Sequence, residues 1–88
     1  MPNLYDVLFT KKANKELSKL DPDARQQIIA AIEDLKREAR PTNSRALRGE
    51  LKGYWRLRSG DYRVIYQIKK EKLQIIVIRA GHRKDIYQ

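Results

Sequence analysis

The chain contains no cysteine, so neither disulfide cross-links nor thiolate metal sites are open to it. With one histidine, His82, it cannot build a zinc centre from imidazoles either. No run of about 18 apolar residues occurs, which excludes a membrane-spanning helix on sequence grounds. The opening Met1-Pro2-Asn3-Leu4-Tyr5-Asp6 lacks the basic segment and apolar stretch of an export signal. These absences predict a soluble cytoplasmic protein that is not exported and has no membrane partner.

Acidic residues are scarce where basic ones gather. Positions 1–44 carry 8 Lys+Arg against 7 Asp+Glu, whereas positions 45–88 carry 12 against 4, so the second half holds +8 of the net +9. One-sided positive charge of this kind suits phosphate, because each neutralised phosphate releases counterions and strengthens binding. A nucleic acid is the expected partner, with a merely solubilising basic surface or an acidic protein partner as the alternatives. A length of 88 residues accommodates one domain with a single core, spanning 1–88.

The apolar pattern sets out the elements. Tyr5 to Phe9 reads as a strand and Thr10 as the N-cap of a helix whose stripe is Ala13, Leu17 and Leu20. Asp21-Pro22 opens a second helix, with Asp21 as capping carboxylate and Pro22 at the first helical position. Its stripe of Ile28, Ile32, Leu35 and Ala39 runs until Pro41. From Pro41 to Gly53 periodicity is lost, predicting a loop that carries Arg45, Arg48 and Lys52.

Tyr54 to Arg58 alternates, with Trp55 and Leu57 on one side and Tyr54, Arg56 and Arg58 on the other. Gly60-Asp61 then predicts a two-residue hairpin turn into a strand from Tyr62 to Lys69. In that register Arg58 faces Arg63, an opposition of like charges that makes sense where an anion lies between them. A three-residue turn would instead send Arg63 to the side of Trp55. The nearly all-apolar Leu73 to Ala80 predicts a central strand. The expected fold is α+β: a strand, a two-helix hairpin, then antiparallel strands, with helices on one sheet face and the other face left for function.

Several stretches resemble one family. Gly60-Asp61-Tyr62-Arg63-Val64-Ile65-Tyr66-Gln67-Ile68, then Ile75-Ile76-Val77-Ile78-Arg79-Ala80-Gly81-His82-Arg83-Lys84-Asp85-Ile86-Tyr87, are similar to the RelE/ParE superfamily of toxins. So are Tyr5-Asp6-Val7-Leu8-Phe9-Thr10 before a lysine-rich helix, and Leu47-Arg48-Gly49-Glu50-Leu51 before the hairpin. The likeness covers nearly the whole chain. It implies a RelE-like fold and a metal-independent endoribonuclease that cuts mRNA on the ribosome, the RNA's own 2′-hydroxyl attacking the adjacent phosphate. It also implies a cognate antitoxin that holds the toxin in check.

Such a reaction needs cations around a phosphate gaining charge, a proton acceptor, a proton donor and surfaces that hold the nucleotides in line. By resemblance Arg63, Arg83 and Tyr87 sit at functional positions of the RelE enzymes. The best-known members carry two lysines where this chain has Tyr54 and Arg56, and a guanidinium is a poor proton acceptor. His82, beside Arg83, is the candidate to move the proton. Tyr54, Arg58, Arg45, Arg48, Lys52 and Lys84 are the expected RNA contacts. A ParE-type inhibitor of DNA gyrase, without nuclease activity, is the alternative within the same superfamily.

Overall fold

A computed structural model describes residues 4–86. It contains β1 (Asp6–Phe9), α1 (Lys11–Ser18), α2 (Pro22–Leu35), β2 (Ser44–Ala46), β3 (Trp55–Ser59), β4 (Tyr62–Lys69), β5 (Gln74–His82) and α3 (Arg83–Ile86). Single 3-10 turns at Gly49–Leu51 and Lys70–Lys72 lead into β3 and β5. The five strands form one sheet in the order β1-β5-β4-β3-β2. β1 runs parallel to β5, and the other pairs are antiparallel. The α+β expectation holds, and β5 is an interior strand.

The helices bury their stripes on one sheet face. Ala13 and Leu17 of α1 and Ile28, Ile32 and Leu35 of α2 pack with Leu57, Val64, Tyr66, Ile75, Val77 and Ala80. Burial of such aliphatic side chains, each contributing about 1.5–3 kcal/mol, is the main stabilising term. Val77 and Ala80 share this face although they are three positions apart. A register shift explains it: Ile65 pairs with Arg79 and Tyr66 with Val77, so Ile78 is the extra residue of a bulge. An unbroken apolar run gives no sign of where such a residue falls.

Local chemistry decides the ends of the elements. Thr10 caps α1 as expected, its Oγ1 accepting the Ala13 N–H at 3.1 Å while donating to the Ile78 carbonyl at 3.1 Å. The far end of α1 is closed by Arg25, whose Nε and Nη2 reach the carbonyls of Leu17 and Leu20 at 3.1 and 2.9 Å, a cation placed at the negative end of the helix dipole. Asp21 departs from expectation. Pro22 does occupy the first turn, but the Asp21 carboxylate makes no capping bond.

Two further expectations are corrected. The second helix ends at Leu35, not next to Pro41, because the chain tightens: Lys36 N–H turns to Glu33 and the Lys36 carbonyl accepts from Tyr5 N–H at 2.9 Å. Ala39 stays buried nonetheless. Within 41–53, expected as loop, Ser44–Ala46 forms edge strand β2 on β3. A short, polar, solvent-facing strand has no apolar alternation by which to announce itself.

Candidate nucleic-acid interface

The side-chain period of a strand is two, so register decides which residues share a face. Gly60 has φ +59° and Asp61 does not have positive φ, the type II′ pattern of a two-residue hairpin. Ser59 therefore pairs with Tyr62 and Arg58 with Arg63. On the neighbouring ladders Arg45 pairs with Arg56 and Arg63 with Gly81. Leu57 and Val64 point to the helices, so Arg45, Arg56, Arg58 and Arg63 all lie on the opposite face. The three strands β2, β3 and β4 contain no carboxylate. The outcome is a band of guanidinium groups running across three adjacent strands.

At one end of the band, Thr42, Asn43, Arg45, Arg56 and Arg58 line a pocket of about 140 Å³. Its wall is braced. The Asn43 side-chain amide donates to the Arg58 carbonyl at 2.6 Å, and the Arg58 N–H donates to the Asn43 carbonyl at 3.0 Å. Thr42 and Asn43 were not singled out from the sequence, where they are two polar residues in an irregular stretch. Their only signal is their position just before a hidden edge strand.

At the other end, the Gly60-Asp61 turn gathers two arginines twenty positions apart in the chain. Arg63 is buried, with 9% of its surface exposed, and its Nη1 donates to the carbonyls of Gly60 and Tyr62 at 2.8 and 2.9 Å. Arg83 N–H donates to the Asp61 carbonyl at 2.8 Å, and its Nε lies 4.0 Å from Asp61 Oδ1. Its side chain is more than half exposed. α3 also leans on this face: a methyl added at Gly81 would come within 3.7 Å of Ile86 Cδ1, and Ile86 is buried.

The remaining candidates are spread out. Tyr54 directly precedes β3 and is half-buried, its backbone held by Leu51 and Leu47 at 3.0 and 2.9 Å. Arg48 and Lys52 flank the 3-10 turn and are exposed, as is Lys84 on α3. Tyr87 lies outside the described residues. His82 pairs with Tyr62, whose ring packs against the helix-side core, so strand parity turns His82 away from the arginine band. The two rings meet edge to face, centroids 5.7 Å apart. Among the described residues, no cluster of three or more His, Asp or Glu is arranged to hold a metal ion.

Arg79, one strand position from the band's edge, is committed to structure. Past Phe9 there is no β1 to pair with β5, and α1 takes over that edge: Glu16 Oε1 accepts the Ala80 N–H at 3.2 Å, and Oε2 accepts from Arg79 Nη2 and Nε at 2.8 and 3.2 Å.

Residues 7–87 match the family model described as the ParE toxin of the type II toxin-antitoxin system parDE. The chain is 38% identical over 85 residues to Toxin RelG of Mycobacterium tuberculosis, covering 96% of this chain and 97% of that protein. It is 33% identical over 81 residues to the mRNA interferase toxin RelE of Escherichia coli K12, covering 91% and 84%. Among solved structures, the toxin-antitoxin complex RelBE2 of M. tuberculosis superposes with a TM-score of 0.85 at 33% identity, over 94% of this chain and 95% of that one. The E. coli RelBE toxin-antitoxin complex superposes with a TM-score of 0.72 at 28% identity, over 89% and 95%.

Proposed function

The chain belongs to the RelE/ParE superfamily and is a toxin of a type II toxin-antitoxin system, and from that premise we propose that it is an endoribonuclease that cuts mRNA on the ribosome. The observation that carries the reading is the band of Arg45, Arg56, Arg58 and Arg63 on the sheet face opposite α1 and α2, with Arg83 brought to its end by the Gly60-Asp61 turn. A relative at 33% identity is named an mRNA interferase.

In the proposed reaction the ribose 2′-oxygen bonds to the adjacent phosphorus and the P–O5′ bond breaks. The 2′-hydroxyl proton leaves and the 5′-oxygen gains one, giving a cyclic phosphate and a 5′-hydroxyl. Arg63 and Arg83 stabilise the charge that builds on the phosphate, a role suited to groups that stay cationic and bind two oxygens at once. Arg56 and Arg58 extend that field. Arg45 and the pocket beside it seat a neighbouring phosphate, with Arg48, Lys52 and Lys84 as outer contacts. Tyr54 and Tyr87 stack on bases, an interaction worth about 1–3 kcal/mol per base. The toxin acts in the cytoplasm and is held inactive by a cognate antitoxin of the kind found in the RelBE complexes.

The test is mRNA cleavage in a reconstituted translation reaction, with and without ribosomes, comparing wild type with Arg63→Ala and Arg83→Ala. Cuts that require ribosomes and both arginines support the reading. The ParE name of the matching family model favours one competing reading, a gyrase inhibitor. Intact mRNA together with lost DNA supercoiling would establish that alternative.

A further inference from the structure

The Arg83 backbone is pinned on both sides. Its own N–H donates to the Asp61 carbonyl at 2.8 Å, and the next amide, that of Lys84, donates to His82 Nδ1 at 3.1 Å. Arg83 opens α3, so these amides are the first two of the helix, the donors that have no partner inside it. His82 stands where an N-cap residue stands and does what one does, with an imidazole nitrogen in place of the usual hydroxyl or carboxylate oxygen.

That bond constrains the chemistry of the ring. An Nδ1 that accepts carries no proton, so in the neutral imidazole the proton sits on Nε2. Neither nitrogen then offers a lone pair to a 2′-hydroxyl. Strand parity also directs the ring toward Tyr62, against which it packs edge to face, and away from the arginine band.

We infer that His82 is a positioning residue: by capping α3 it sets the direction in which Arg83 is presented beside Arg63, and it takes no proton from the RNA. The inference rests on the nuclease reading, in which Arg83 faces the reacting phosphate. Asparagine separates capping from proton transfer, since its side-chain oxygen caps helices well and does not titrate.

The experiment compares wild type, His82→Ala and His82→Asn in the ribosome cleavage assay, alongside amide hydrogen exchange at Lys84. Removing the cap should slow cleavage about tenfold through kcat, with KM for ribosomes changed by less than about twofold, as expected when a catalytic group is misdirected and binding is spared. The asparagine variant should return to within about threefold of wild type. The Lys84 amide should be protected in wild type and His82→Asn and should exchange at least about tenfold faster in His82→Ala. Full activity in His82→Ala overturns the inference. So does a His82→Asn variant that protects Lys84 yet cuts as slowly as His82→Ala, which would return proton transfer to the imidazole. A wild-type protein that leaves mRNA whole removes the nuclease reading and this role together, a result distinct from either of those.

Discussion

Arg58 and Arg63 stand directly opposite one another across the β3–β4 ladder. Like charges so placed cost stability unless an anion joins them. Replacing the exposed member with an acid, Arg58→Glu, creates a cross-strand ion pair. Urea unfolding at low salt should show a gain of about 0.5 kcal/mol, while mRNA cleavage falls by more than about tenfold because charge at the phosphate is reversed. A variant that is both less stable and fully active would contradict the placement of RNA on this face.

Arg45 lines the braced pocket with Arg56 and Arg58. If it holds a backbone phosphate, Arg45→Ala should weaken binding to single-stranded RNA to the same extent for different sequences. It should also flatten the plot of log affinity against log salt by roughly 0.7. Fluorescence anisotropy across a salt series measures both. An unchanged slope would mean that the pocket carries no phosphate.

Tyr66 is fully buried and its hydroxyl donates to the Ala39 carbonyl at 2.7 Å. Tyr66→Phe should lose about 1–2 kcal/mol, since that carbonyl is left without its donor, with cleavage by the folded protein unaltered. Burial raises the Tyr66 pKa above its ordinary 10.0, an effect only partly offset by Ser44 and Arg40. The tyrosine's stability is therefore fully present below pH 10 and is lost as pH rises through the folded-state value. Alkaline unfolding curves of wild type and Tyr66→Phe should converge accordingly.

Glu16 supplies what a missing strand would have supplied to β5, an acceptor for the Ala80 N–H, and it holds Arg79 as well. Glu16→Ala should cost about 1–3 kcal/mol because a half-buried amide and a guanidinium lose their acceptor together. Glu16→Gln, which keeps an oxygen for the amide, should cost less. Thermal melts rank the variants, and faster exchange of the Ala80 amide identifies the cause.

What could be read from the sequence follows from the range of the forces involved. The hairpin register was legible because a glycine with positive φ and an uninterrupted two-residue period act over a handful of neighbours, and they place Arg56, Arg58 and Arg63 together. The helix stripes were legible for the same reason. Features that depend on distant partners were hidden. The end of α2 is set by an amide from Tyr5, the bulge at Ile78 by the need to align two ladders, and β2 by pairing with a strand eleven positions on. Alternation and the hairpin turn place Arg56, Arg58 and Arg63 on one face, whereas Arg45 joins them only through the hidden strand β2. The convergence of Arg83 on the Gly60-Asp61 turn, and the orientation of His82, require the register of β5 across its bulge.

The parallel pairing of β1 with β5 joins distant parts of the chain: Thr10, just after β1, is bonded to Ile78, 68 positions later. β2 to β5 are joined by short connections and can zip together with little loss of loop entropy, whereas β1 must find its partner across both helices. The arginine face is thus built from the locally connected part, and docking of β1 is expected to be the late event in folding. Val7→Ala should accordingly speed unfolding and barely change the refolding rate, while Val64→Ala in the hairpin slows refolding, a contrast that stopped-flow chevrons resolve directly.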